Sequence, residues 1–164
     1  MILDLKGVFD CEGYRRDLSY ELSMGDYKDE IGEFPFKEPV QVKAAVENRA
    51  GVVSLHVETK SRYVTQCDRC CAPLDEPMNI PFDNVLVRQA SGEGDKGDII
   101  VVEDDRLDLD ELVYTNIVLN LPMKHLCSED CKGLCPVCGK NRNEIDCGCD
   151  TGGRKSPFSI LKDL

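Results

Sequence analysis

Residues 40–67 read VQVKAAVENRAGVVSLHVETKSRYVTQC, and their apolar positions recur every second residue. Val40, Val42, Ala44 and Val46 alternate with Gln41, Lys43 and Glu47, the pattern of a strand with one face in a core and the other in water. Asn48-Arg49-Ala50-Gly51 supplies a short turn. Val53, Leu55 and Val57 then alternate with Ser54, His56 and Glu58 as the chain runs through Tyr63 to Cys67. The stretch reads as an antiparallel hairpin. It points to an α+β fold, mainly antiparallel β, arranged as a sheet or a partly closed barrel.

Downstream, Met78, Ile80 and Phe82 suggest a third strand, after which the apolar phase slips to Val85 and Val87, as a bulge would require. Pro77 and Pro81 favour an edge. The polar loop SGEGDKGD at 91–98 leads to Ile99 to Val102, a β-branched run that can return as a fourth strand. The period then becomes helical. Asp108 can cap a first turn with Glu111 reaching back to it, and Leu109, Leu112, Val113 and Ile117 line one face until Pro122, which places the one packed helix near 108–120. Upstream, Ile2, Leu3, Leu5 and Val8 can make a strand, and the rest of the first forty residues carries little signal.

A chain of 164 residues can bury roughly 70% of its unfolded surface, so size does not force it to depend on cross-links. No run approaches the ~18 apolar residues of a spanning helix, and MILDLKGVFD does not resemble a signal peptide. The expectation is a soluble cytoplasmic protein with no membrane partner. Its net charge is −11, from 20 basic and 31 acidic residues, which argues against a protein that coats nucleic-acid phosphates and toward basic partners. The charge divides unevenly. Residues 1–123 hold 13 Lys/Arg and 25 Asp/Glu, whereas 124–155 hold six and five. The organisation expected is an acidic β-rich core over 1–123, a cysteine-rich module over 124–155, and a short helix or tail over 156–164.

Ten cysteines are far more than packing requires, and six lie between Cys127 and Cys149. Cys67-x2-Cys70 and Cys135-x2-Cys138-Gly139 have the spacing that turns two thiolates toward one tetrahedral Zn²⁺ at about 2.3 Å. Cys127-x3-Cys131 and Cys147-x-Cys149 complete four chelating pairs, the number that two closed four-thiolate sites need. Cys135, Cys138, Cys147 and Cys149 are close enough in sequence for a local site, which leaves Cys67 and Cys70 to meet Cys127 and Cys131 across the fold. In the rival pairing the two CxxC knuckles face each other as a zinc ribbon, and Cys127, Cys131, Cys147 and Cys149 form the second site. Structural zinc suits all-cysteine sites better than catalytic zinc, which keeps an open position. A thioredoxin-like role would need a CxxC that opens a helix in a βαβ unit, a context absent from this sequence.

Cys11 and Cys71 are left over and read as buried or idle thiols; His125 and His56 read as surface histidines. The sequence contains no P-loop, no GxGxxG after a strand, no GxSxG and no HExxH, so no enzymatic activity and no small-molecule substrate are expected. The nine carboxylates between Glu93 and Glu111 lack the spacing of a calcium loop and read as a solvated acidic face.

Taken together, Cys67-x-Arg69-Cys70, Leu107-Asp108-Leu109-x-Glu111-Leu112, Leu119-x-Leu121-Pro122 and the run Cys127-x3-Cys131-Lys132-Gly133-Leu134-Cys135-Pro136-x-Cys138-Gly139-x-Asn141 resemble the YceD (DUF177) family of bacteria and plastids. The ending, Cys147-x-Cys149-Asp150 and Pro157-Phe158-x2-Leu161-x2-Leu164, also fits. The resemblance implies a non-enzymatic role in accumulation of the large (23S) ribosomal RNA, in a family whose gene commonly neighbours that of a small basic large-subunit ribosomal protein. Some relatives lack the last two cysteine pairs and keep CxRC with a His/Cys pair near Cys127 and Cys131, which supports the local pairing. Cys71 departs from the Leu usual there, and Asp150-Thr151-Gly152-Gly153-Arg154 from a tighter Asp-Pro-Arg ending.

Two functions follow as expectations. One is a zinc-binding ribosome-biogenesis factor whose acidic sheet meets a basic ribosomal protein or assembly factor, while Lys124, Lys132, Lys140, Arg142, Arg154 and Lys155 touch pre-ribosomal RNA. The other is a redox- or zinc-responsive regulator that uses its CxxC pairs. Two Zn²⁺ held by eight thiolates would carry the charge from −11 to about −15.

Overall fold

The computed structural model describes residues 1–29, 32–89 and 99–150. The loop expected at 91–98, the tail expected at 156–164, and Arg154 and Lys155 lie outside the described residues. The chain divides into two compact units. One comprises Met1–Val64 and Asp75–Pro122; the other joins Thr65–Leu74 to the described residues from Met123 onward.

The first unit is a sheet with a helix. Strands β1 (Ile2–Asp4), β2 (Arg15–Leu22), β3 (Val40–Arg49), β4 (Val52–Gln66), β5 (Pro73–Val87), β6 (Ile99–Val101) and β7 (Arg106–Asp108) are joined by helices α1 (Lys6–Asp10) and α2 (Leu109–Leu119). Five strands form one sheet in the order β2-β3-β4-β5-β6, and β1 pairs with β7. The five-stranded sheet is open, with β2 and β6 at its edges, and is not the partly closed barrel.

The hairpin is as its periodicity predicts. Val40, Val42, Ala44 and Val46 on β3 face Val53, Leu55 and Val57 on β4 in the core. Arg49 pairs with Val52, so Ala50 and Gly51 alone make the turn, with φ of 52° and 82°. The inward rows continue with two polar residues, each satisfied. Asn48 donates its side-chain amide to the Val8 carbonyl at 2.8 Å, and Thr59 donates its hydroxyl to the Ile80 carbonyl at 3.0 Å. On α2, Leu109, Val113 and Ile117 are fully buried at a spacing of four, with Leu112 half-buried beside them.

Four expectations change. β5 has no phase slip: inward parity runs from Met78, Ile80 and Phe82 to buried Leu86, and Val85 and Val87 lie on the other face, where their apolar character suggested a bulge. β6 runs parallel to β5, with Val85 opposite Ile99 and Val87 opposite Val101, whereas an antiparallel return was expected. β6 reaches only Val85–Val87 of its neighbour, so Pro77 and Pro81 fall where β5 has no further partner among the described residues. The strand expected through Val8 stops at Asp4, and Val8 is buried from α1 instead. β2, unrecognised in the sequence, pairs with β3 from Arg15 opposite Glu47 to Leu22 opposite Val40.

Candidate metal centres

Both cysteine clusters lie in the second unit. β4 ends at Gln66, and the chain turns through Cys67-Asp68-Arg69-Cys70 before β5 begins. The Cys71 amide donates to the Cys67 carbonyl at 2.8 Å, and the Cys67 amide donates to the Ala72 carbonyl at 2.8 Å. Cys135–Cys138 is the same local structure. Gly139 donates to the Cys135 carbonyl, and Cys135 to the Lys140 carbonyl, each at 2.8 Å. The residue after each knuckle adopts a left-handed backbone, with φ of 58° at Cys71 and 72° at Gly139. Cys71 therefore occupies the glycine position of its knuckle. It and Cys11 are exposed, not buried as one of the two expectations had it.

The eight thiols gather as Cys67, Cys70, Cys127 and Cys131 in one cluster, and Cys135, Cys138, Cys147 and Cys149 in the other. Within each cluster all sulfurs lie within 4.8 Å of one another. The Cys67 and Cys131 sulfurs are 3.8 Å apart, and those of Cys70 and Cys127 are 3.6 Å apart. Four sulfurs placed tetrahedrally at ~2.3 Å from a metal stand ~3.8 Å from each other, so the spacing fits such an ion. Facing of the two CxxC knuckles is not the arrangement adopted. Each cluster could hold one metal ion.

In each cluster the first sulfur of the knuckle is drawn down. Cys67 is drawn down to about 6, chiefly by the Cys127 amide, with the amides of Arg69 and Cys70 adding and burial opposing. Cys135 is likewise drawn down to about 6 by the amides of Cys138 and then Val137. Cys149 is pushed up to about 12 by the neighbouring thiols of Cys138 and Cys147 together with burial. Backbone amides thus favour the thiolate at Cys67 and at Cys135, while crowding holds the proton on Cys149. A dication bound there would replace those protons, so its uptake would release them.

Two further residues shape the first cluster. Asn143 donates its side-chain amide to the Cys131 sulfur at 3.2 Å, which lowers the pKa of that thiol. Gly133, buried with φ of 70°, lies against the knuckle; a Cβ there would come within 2.9 Å of the Arg69 carbonyl oxygen. The Leu134 amide donates to that same oxygen at 3.0 Å. Neither Gly133 nor Asn143 was singled out from sequence as a site residue. Asn143 follows no ligand spacing, and Gly133 is a lone glycine whose neighbour is 64 residues away.

Lys124, Lys132, Lys140 and Arg142 are exposed. His125 is half-buried and belongs to neither cluster. Its backbone exchanges bonds with Asp68, donating to the Asp68 carboxylate and accepting from the Asp68 amide, each at 2.8 Å. His56 is on the exposed sheet face, where its Nδ1 lies 2.5 Å from Asp83 and its Nε2 3.8 Å from Glu47. This pair borders a broad shallow concavity between β2 and β5 whose lining mixes Arg15 and Lys43 with Asp17 and Glu58. In the acidic run, Asp105 and Asp10 hold the Arg88 guanidinium and Asp108 caps α2. Among the described residues, no helix is long and apolar enough to cross a membrane.

A family model described as "Large ribosomal RNA subunit accumulation protein YceD" matches residues 53–164. The chain belongs to the YceD family. The match takes in β4, β5, α2 and all eight clustered cysteines. Among relatives, the protein "Uncharacterized protein YlbN" of Bacillus subtilis (strain 168) is 28% identical over 104 residues, which is 63% of this chain and 60% of that protein. "Uncharacterized protein Rv2926c" of Mycobacterium tuberculosis (strain ATCC 25618 / H37Rv) is 28% identical over 79 residues, 46% of this chain and 38% of that protein. The chain therefore spans 60% of the length of the first of these relatives and 38% of the second. No solved structure matches it.

Proposed function

We propose that this YceD protein is a non-enzymatic, zinc-binding factor of ribosome biogenesis in the bacterial cytoplasm, supporting accumulation or processing of 23S ribosomal RNA. The reading rests on two four-cysteine clusters in a chain whose family is described by large ribosomal RNA subunit accumulation. Four thiolates per cluster suit zinc and fill its tetrahedral coordination, leaving no position for a substrate. The second cluster and its knuckle then make a zinc-ribbon-like module.

Charge favours a basic large-subunit ribosomal protein or assembly factor as the main partner. Residues 65–74 and 123–150 contain five Lys/Arg and six Asp/Glu, and two Zn²⁺ with eight thiolates would bring this part to about −5. The same residues contain no Phe, Tyr or Trp, and the one ring among them that could stack on an RNA base, His125, is half-buried. Contact with pre-ribosomal RNA is then confined to phosphates, through Lys124, Lys132, Lys140 and Arg142, with Arg154 and Lys155 beyond the described residues.

Depletion of the protein should lower 23S relative to 16S RNA. Wild-type protein should restore the ratio, and a variant with Cys70→Ser and Cys127→Ser should not. An unchanged ratio on depletion would overturn the reading. For the RNA contact, reversal of charge at Lys140 and Arg142 should weaken salt-dependent binding to 23S RNA; binding insensitive to both salt and reversal removes that part. The greater exposure of the second cluster, where Cys138 is exposed, favours a redox-responsive reading as the alternative. It requires mild oxidant to release that metal reversibly and change partner binding.

A further inference from the structure

The two clusters are not independent pieces of chain. The segment between Cys138 and Cys147, which the second cluster closes into a loop, carries residues that brace the first. The Arg142 amide donates to the Gly133 carbonyl at 2.9 Å, and Asn141 bridges to Leu134, whose amide in turn holds the Arg69 carbonyl of the first knuckle. Asn143 makes the contact nearest the metal position. Its Nδ2 donates to the Cys131 sulfur at 3.2 Å, and its Oδ1 accepts from the Lys132 amide at 2.8 Å. Asn141 fixes this orientation, because its Oδ1 accepts from both the backbone and the side chain of Asn143 at 3.0 and 2.9 Å. The Asn141 amide is itself held by Glu144 at 2.8 Å.

A thiolate with an N–H donor keeps its negative charge in place and its sulfur oriented, which is how partners behind the ligands tune a metal site. This donor is exposed and sits on a short segment with no helix or strand of its own. What holds that segment in place is its bonds to Gly133 and Leu134 and, at its two ends, the cysteines of the second cluster. Ordering the segment before the first cluster fills removes an entropic cost from that event, which is positive cooperativity between the sites.

We propose that Asn143 is the positioning residue that couples the two clusters, so that metal held by Cys135, Cys138, Cys147 and Cys149 tightens metal binding by Cys67, Cys70, Cys127 and Cys131. The inference rests on the reading that both clusters hold metal. It makes the exposed cluster a control on the buried one: loss of the outer ion loosens the inner ion.

The test uses the full chain and Co²⁺, whose thiolate charge-transfer absorption reports each filled site, with Zn²⁺ competition for affinity. Asn143→Ala should weaken the first site roughly 10- to 100-fold, the range for loss of a partner behind a ligand. It should also shift the first site's charge-transfer band and leave the second site within twofold. Asn143→Asp, which keeps the acceptor for the Lys132 amide but loses the donor, should behave no better than Asn143→Ala. Removal of the second site by Cys147→Ser with Cys149→Ser should weaken the first site by a similar factor, and adding Asn143→Ala to that pair should do little more. First-site affinity and spectrum unchanged in either background, or two effects that multiply in full, would overturn the coupling while leaving two metal sites. Wild-type protein that takes up fewer than two ions overturns the metal reading itself, and the coupling with it.

Discussion

Cys71 and Gly139 occupy the same place in two copies of one turn, yet one has a side chain and the other does not. Both are left-handed, and both donate their amide to the first cysteine of the knuckle. A Cβ in that conformation costs about 1 kcal/mol, so Cys71→Gly should raise the unfolding free energy of the metal-loaded protein by about that much, read as a higher denaturant midpoint, and leave the metal count at its wild-type value. A lost metal would make Cys71 a ligand after all. Gly133 lies at the opposite extreme, because any side chain there meets backbone. Gly133→Ala places a Cβ 2.9 Å from the Arg69 carbonyl oxygen, and neither partner is a flexible side-chain end. Metal analysis should find the first cluster emptied or weakened by more than tenfold while the second still loads. At this scale the cysteines that cluster were visible in the sequence because the members of each pair are neighbours; Gly133 and Asn143 were not, because what they touch is distant or belongs to another pair.

At the scale of elements, local chemistry predicts well where one residue decides. Asp108 accepts from the amides of Asp110 and Glu111 at 3.0 and 3.3 Å, and those bonds, led by Glu111, hold its carboxyl below the usual range. Asp108→Ala should destabilise the first unit by about 1 kcal/mol in chemical denaturation. The contribution is present above the unfolded carboxyl value of ~3.9 and is lost as pH falls through the lower folded value, so wild type and variant should converge in acid. The β3–β4 turn offers the converse. Ala50 and Gly51 both have positive φ, as the mirror-image hairpin turns require, and Asn-Gly suits them better than Ala-Gly. Ala50→Asn should stabilise by about 0.5 to 1 kcal/mol, read as a shift in denaturant midpoint at unchanged slope. The elements that escaped have physical reasons too. β2 contains the alternation Leu18, Tyr20, Leu22, but it opens on Arg15-Arg16-Asp17 and is separated from its partner by residues 23–39, a connection longer than most hairpins have. β5 carries valines on its outer face at 85 and 87, so its parity is visible only once Leu86 is known to be buried.

For the molecule as a whole, the two units should differ in what they need. The first has a continuous core running from Leu3 to Ile117, whereas the second buries four cysteines, three of which, Cys67, Cys70 and Cys131, pack with partly buried Ala72, Leu74 and Leu126. Metal should therefore supply most of the second unit's stability; structural zinc contributes on the order of 10 kcal/mol, comparable to a whole domain. A strong chelator should expose residues 123–150 to protease while the sheet and α2 keep their circular dichroism. Uniform resistance after complete metal removal would contradict that division. Strand parity in β3 and β4, the cap of α2 and the four chelating cysteine pairs were readable from the chain alone, since each depends on residues a few positions apart. The parallel return of β6, the openness of the sheet and the choice of which pair joins which were decided by folding. Cys67 meets Cys131 across 64 residues and Cys70 meets Cys127 across 57. Closure of the short local loop already favoured this pairing without deciding it, since loop entropy grows slowly with length; the folded chain adopts it, and the contacts of Arg69, Gly133 and Asn143 brace it.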